Sequence, residues 1–121
     1  MVLVAVDDLL FSSKIRTVAK QAGVDVAFAR TPAEILAQAR ALKPGMVIFD
    51  LNSAKADPIN TVASMKRDPE VASIRTVGFV SHVDSGTIAA ARQAGVDDVM
   101  ARSAFASQLA EILRSASRDL R

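Results

Sequence analysis

The feature that most constrains this chain is a regular alternation, in which short continuous apolar runs are each followed by a longer stretch with helical spacing. Residues 2–6 (VLVAV) form a β-branched run of the kind expected in a strand buried on both faces. From Leu10 to Ala22, the residues Ile15, Val18, Ala19 and Ala22 recur at helical spacing, and Gly23 marks the stop. Residues 24–29 (VDVAFA) read as a second strand. Thr31, Pro32 and Glu34 then supply an N-cap, a first-position proline and the acid of a capping box. That helix runs to about Leu42 and is ended by Lys43-Pro44-Gly45. Residues 46–49 (MVIF) are a third buried strand, stopping at Asp50. A third helix is expected over 58–67 with Asp57 as its N-cap, and a fourth strand over 76–80. Residues 85–94 form a fourth helix closed by Gly95, 96–101 a short fifth strand, and 104–117 the last helix.

Strand–helix alternation demands crossover connections, and crossovers set strands parallel with helices on both faces. The expected fold is therefore α/β, a doubly wound five-stranded parallel sheet with five helices, forming one domain over residues 1–121. Half of the residues are hydrophobic and only 4% aromatic, which suits small-residue helices laid on a sheet. The absence of cysteine excludes disulfides, thiolate catalysis and cysteine-ligated zinc. The net charge of +2 is spread without any run of Lys or Arg, which argues against direct nucleic-acid binding. No apolar run approaches the ~20 residues of a membrane span, and Met1 to Val6 leads into acids rather than a cleavage site. The chain is thus expected in the cytoplasm.

In doubly wound sheets, ligands sit at the carboxyl ends of the central strands. The first strand delivers Asp7 and Asp8 there, the third Asp50, the fourth Ser81, and the fifth ends near Arg102 and Ser103. If the strand order is 2-1-3-4-5, strands one, three and four are neighbours, and three carboxylates meet a hydroxyl. Three acids in one crevice repel one another unless a cation binds, and oxygen ligands suit a hard divalent ion such as Mg²⁺. A neutralised Asp50 can then act as a nucleophile toward phosphorus, with Ser81 bonding the transferred group.

The segments VLVAVDD, PGMVIFDLN, VGFVS and AGVDDVM, in this order and spacing, closely resemble the strand signatures of the CheY-like receiver domains of bacterial response regulators. The resemblance covers essentially the whole chain. It implies that Asp7, Asp8 and Asp50 hold Mg²⁺ together with the backbone carbonyl of Asn52. It further implies that Asp50 is the acceptor phosphorylated by a histidine kinase, a phosphotransfer protein or a small phosphodonor, and that Ser81 drives the switch. Output would pass through the face of helix four, strand five and helix five to a downstream protein target. Such a domain is a phospho-accepting regulator rather than an enzyme, and its oligomeric state is left open.

The sequence also departs from the family pattern. The lysine that follows strand five falls on Arg102 or on Ser103, depending on how the interval is counted, and the proline after it is missing. Ser53-Ala54-Lys55-Ala56-Asp57-Pro58 replaces a glycine-containing turn, and the switch aromatic of strand five appears as Val99 or Met100. These departures favour a pseudo-receiver, an interaction module without regulated phosphotransfer, whereas the intact acid set favours a working one. A flavin-binding module lacks its glycine-rich loop and stacking aromatics, and an aspartate-nucleophile hydrolase lacks a second acid where Asn52 stands. Plainer readings accompany the sharp ones. Asp8 suits a helix N-cap, Asp97 and Asp98 solvated surface, and His82 an exposed loop. Arg114, Arg118 and Arg121 suit a helix C-terminus.

Overall fold

In a computed structural model, residues 1–81 and 84–118 are described. His82 and Arg121, to which the sequence assigned surface roles, lie outside them, and Arg118 is described only as a helix position. Five strands alternate with six helices: β1 (Val2–Ala5), α1 (Leu9–Ala22), β2 (Val26–Phe28), α2 (Pro32–Leu42), β3 (Met46–Asp50), α3 (Pro58–Arg67), β4 (Arg75–Val80), α4 (Ser85–Ala94), β5 (Asp98–Ala101), α5 (Arg102–Ser107) and α6 (Leu109–Arg118). All neighbouring strands pair in parallel, in the order β2-β1-β3-β4-β5.

The period-two alternation of side chains divides the core into two layers. Val2, Val4, Met46, Ile48, Val77 and Phe79 point to one face, where Ile15 of α1 and Leu109 and Leu113 of α6 cover them. Leu3, Ala5, Val47 and Phe49 point to the other, against Ile35 of α2, Val62 and Met65 of α3 and Ala91 of α4. Phe79 and Phe105 stack with centroids 4.8 Å apart, and Phe11 meets Phe79 edge-on at 5.2 Å. Phe79 and Phe105 are fully buried, a contribution of about 1.5–3 kcal/mol each.

Local signals behave largely as expected. Thr31 Oγ1 accepts the Glu34 N–H at 3.3 Å and donates to Glu34 Oε1 at 3.0 Å. Gly23 and Gly95 close their helices with φ of 72° and 113°, in the left-handed region open to glycine. Three expectations are corrected. The last helix starts at Arg102 and is divided at Gln108, whose ψ of 12° lifts it out of the helix. The break leaves the apolar face intact, because Phe105, Leu109, Ile112, Leu113 and Ala116 all remain buried. Asp57 stands at the N-cap of α3 but in a left-handed conformation, φ 42°, and its carboxylate accepts from Asn60 Nδ2 instead of capping. Asp97 and Asp98 are not merely solvated. Asp97 Oδ2 accepts the Thr76 N–H at 2.8 Å and Asp98 accepts from Arg75 at 3.0 Å, pinning β5 to β4.

Candidate functional site

The order of the sheet puts the carboxyl ends of β1, β3 and β4 side by side, and the chain leaves each of them through a different loop. Asp50 is the last residue of β3 and is half-buried. Its Oδ1 accepts the Asn52 N–H at 2.9 Å, a turn that folds the loop back on the carboxylate. Burial is the main influence on its carboxyl and raises the pKa above the ordinary value; the Asn52 amide and the positive charge of Arg102 oppose it, while Asp8 and Asp7 add to it. Asp7, Asp8, Asp50 and Arg102 therefore share one electrostatic neighbourhood.

Asp8 takes the N-cap role considered for it and also pairs with Arg102. As N-cap of α1, its Oδ1 accepts the N–H groups of Leu10 at 2.9 Å and Phe11 at 3.2 Å. Its Oδ2 accepts from Arg102 Nη2 at 3.1 Å. The Phe11 amide first, and then Arg102, hold its carboxyl below the usual range. Asp7 lies 3.9 Å from Arg30 Nε, a loose and exposed pair. Of the two residues left open after strand five, Arg102 is the one that meets an acid, and its guanidinium carbon lies 4.2 Å from the Phe11 ring centroid. Ser103 is exposed, and no hydrogen bond from it is found among the described residues.

Asn52 and Ser81 also meet directly. The Asn52 side-chain Oδ1 accepts the Ser81 backbone N–H at 2.7 Å, so Asn52 staples the loop after β3 to the end of β4. The Ser81 hydroxyl stands exposed beside this staple. Just beneath, Leu51 is buried against Gly78 of β4 and donates its N–H to Phe79 O at 2.9 Å.

Sequence reasoning missed three participants. Arg30 follows β2 and was within reach of the strand-end rule had that strand been included. Phe11 looks like any helical core position, and the fit of Leu51 on Gly78 joins residues of different strands.

The donor set, three carboxylates and a backbone carbonyl, has the oxygen chemistry of a hard divalent ion. As arranged, the described residues bring no three Asp, Glu or His side chains close enough to hold a metal, and the cation standing at Asp8 is Arg102.

Residues 2–114 match the family model of the response regulator receiver domain. The response regulator protein VraR of Staphylococcus aureus is 27% identical over 85 residues, which is 70% of this chain and 40% of that protein. The chain thus spans about two fifths of the length of the curated relatives it matches. Among solved structures, the phosphorylated cyanobacterial phytochrome response regulator RcpA superposes with a TM-score of 0.76 at 22% identity, covering 97% of this chain and 90% of that one. The receiver domain of the sensor histidine kinase PA1611 from Pseudomonas aeruginosa, with magnesium coordinated in its active-site cleft, gives a TM-score of 0.82 at 15% identity, covering 94% and 93%. No helix of the described residues is long and apolar enough to cross a membrane.

Proposed function

The chain belongs to the response regulator receiver domain family, and from that premise we propose that it accepts a phosphoryl group on Asp50 as a single cytoplasmic signalling domain. The observation that carries this reading is the placement of Asp50: a half-buried carboxylate at the end of the central strand, within the field of Asp7, Asp8 and Arg102. Its Oδ1 is held by the Asn52 amide, which leaves Oδ2 to attack. That oxygen forms the new P–O bond while the donor's bond to phosphorus breaks, and the donor leaves with the electron pair of that bond. Arg102, a permanent cation, has the charge to pair with phosphoryl oxygens, and the exposed Ser81 hydroxyl stands on the adjoining loop to donate to them. For a divalent ion to neutralise the acids and the incoming oxygens, Asp7, Asp8, Asp50 and the Asn52 carbonyl would have to draw closer than they stand. The donor would be a histidine kinase, a phosphotransfer protein or a small phosphodonor, and a protein target would read the face of α4, β5 and the last helix, here α5 with α6.

Incubation with acetyl phosphate and Mg²⁺ tests this. The expected result is one added phosphoryl mass that is lost in Asp50→Asn. A wild-type protein that stays unlabelled would sink the reading. The alternative, a pseudo-receiver, draws on the same Asp8–Arg102 pair, since a guanidinium on Asp8 offsets part of the acid charge without a metal; it predicts no label and no Mg²⁺ binding.

A further inference from the structure

Arg102 is held on three sides. Its Nη2 donates to Asp8 Oδ2 at 3.1 Å, its guanidinium carbon lies 4.2 Å from the Phe11 centroid, and its backbone opens α5 immediately after β5. Phe11 is a firm shelf, because its ring packs on Phe79 at 5.2 Å and on Phe105 at 5.8 Å. Asp8 is committed as well. Its Oδ1 serves the first turn of α1 through two N–H groups, so Oδ2, the oxygen Arg102 holds, is what remains for a cation.

A magnesium ion bonds oxygen at about 2.0–2.1 Å and requires nearly octahedral surroundings. An ion on Asp8 Oδ2 would therefore lie roughly 4–5 Å from the guanidinium nitrogen, two cations sharing one carboxylate oxygen. The guanidinium cannot relieve this by losing its proton. Resting on the reading that this acid crevice takes a divalent ion, we propose that Arg102 determines which cation the site holds. The Asp8–Arg102 pair and the metal ion exclude one another, and metal enters only as Arg102 leaves the Phe11 shelf. Lysine, a compact ammonium on a flexible stem, lacks the planar fork that lies on an aromatic ring while still reaching a carboxylate. The arginine at this position thus converts a neighbour of the site into a competitor for it.

The test is a calorimetric titration of the full chain with Mg²⁺, comparing wild type with Arg102→Met. Methionine keeps an unbranched stem over Phe11 and removes the charge. The dissociation constant is expected to fall about tenfold or more, the combined scale of an exposed ion pair and a cation–π contact. Equal constants for the two proteins, or no binding by either, overturn the proposal. A second measurement needs no variant. In the wild type, the Arg102 side-chain N–H and Phe11 ring resonances must shift in step with Mg²⁺ saturation; if they stay fixed while the Asp50 and Asp8 amides saturate, the proposal is wrong. Phosphoryl labelling is read separately. Tighter Mg²⁺ binding in Arg102→Met without any label on Asp50 keeps the competition and discards the acceptor role, and label without competition does the reverse.

Discussion

Substituting Gly78 tests how the fold holds the loop that carries the site. A Cβ on Gly78 would meet Leu51 Cδ1 at 2.7 Å, Cγ at 2.8 Å and Cδ2 at 2.9 Å, all closer than carbon atoms pack. Leu51 is buried to 5% exposure and follows Asp50 directly, so it cannot yield without disturbing the loop beside the carboxylate. Alanine gains about 0.5–1 kcal/mol over glycine in a strand interior, whereas overpacking costs about 1–3 kcal/mol. Gly78→Ala should therefore destabilise by about 1–2 kcal/mol net, lowering Tm by roughly 3–8 °C for a domain of this size. Leu51→Ala alone should cost about 2–5 kcal/mol by opening a cavity. In the double variant the new methyl fills part of that cavity, so the combined loss should fall short of the sum by about 1 kcal/mol or more. Urea melts of the four proteins of the cycle measure this. An unchanged midpoint in Gly78→Ala, or strict additivity in the cycle, would refute the packing argument.

Other perturbations address the charges and the loop. Asp50→Asn should melt higher than wild type at neutral pH, because burial raises the Asp50 pKa above 3.8 and the ionised form is the costly one. That advantage should shrink as pH falls through the raised pKa toward 3.8, since wild type then sheds its buried charge. Asp8 moves oppositely: its pKa is lowered, so its contribution is present above 3.8 and lost as pH falls through its folded value. A pH series of melts on both proteins reads the difference, and a gap independent of pH would contradict the burial argument. Asn52→Ala removes the acceptor for the Ser81 N–H; a loss of about 0.5–1 kcal/mol is expected, with faster hydrogen exchange at Ser81 as the specific readout, and unchanged exchange there counts against the staple.

The sequence alone determined the alternation of strands and helices, the parallel sheet, and the strand ends at which chemistry collects. These follow from local patterns: β-branched runs such as residues 2–6, a capping sequence at Thr31 to Glu34, and glycines at Gly23 and Gly95 where only a left-handed residue ends a helix cleanly. Asp50 was legible because it stands directly after such a run. What only tertiary structure decided lies in pairs far apart along the chain. Which of Arg102 and Ser103 faces the acids depends on where α5 begins, and a shift of one residue there changes which side chain points inward. That Asn52 acts through its side chain on Ser81, and that Asp97 and Asp98 reach β4 from the surface, depends on strands meeting at a fixed register. The division of the last helix at Gln108 left no mark in the sequence, because the buried positions on both sides of it keep a helical spacing. Local periodicity encodes what each segment becomes, while contact between segments is settled by packing across the assembled sheet.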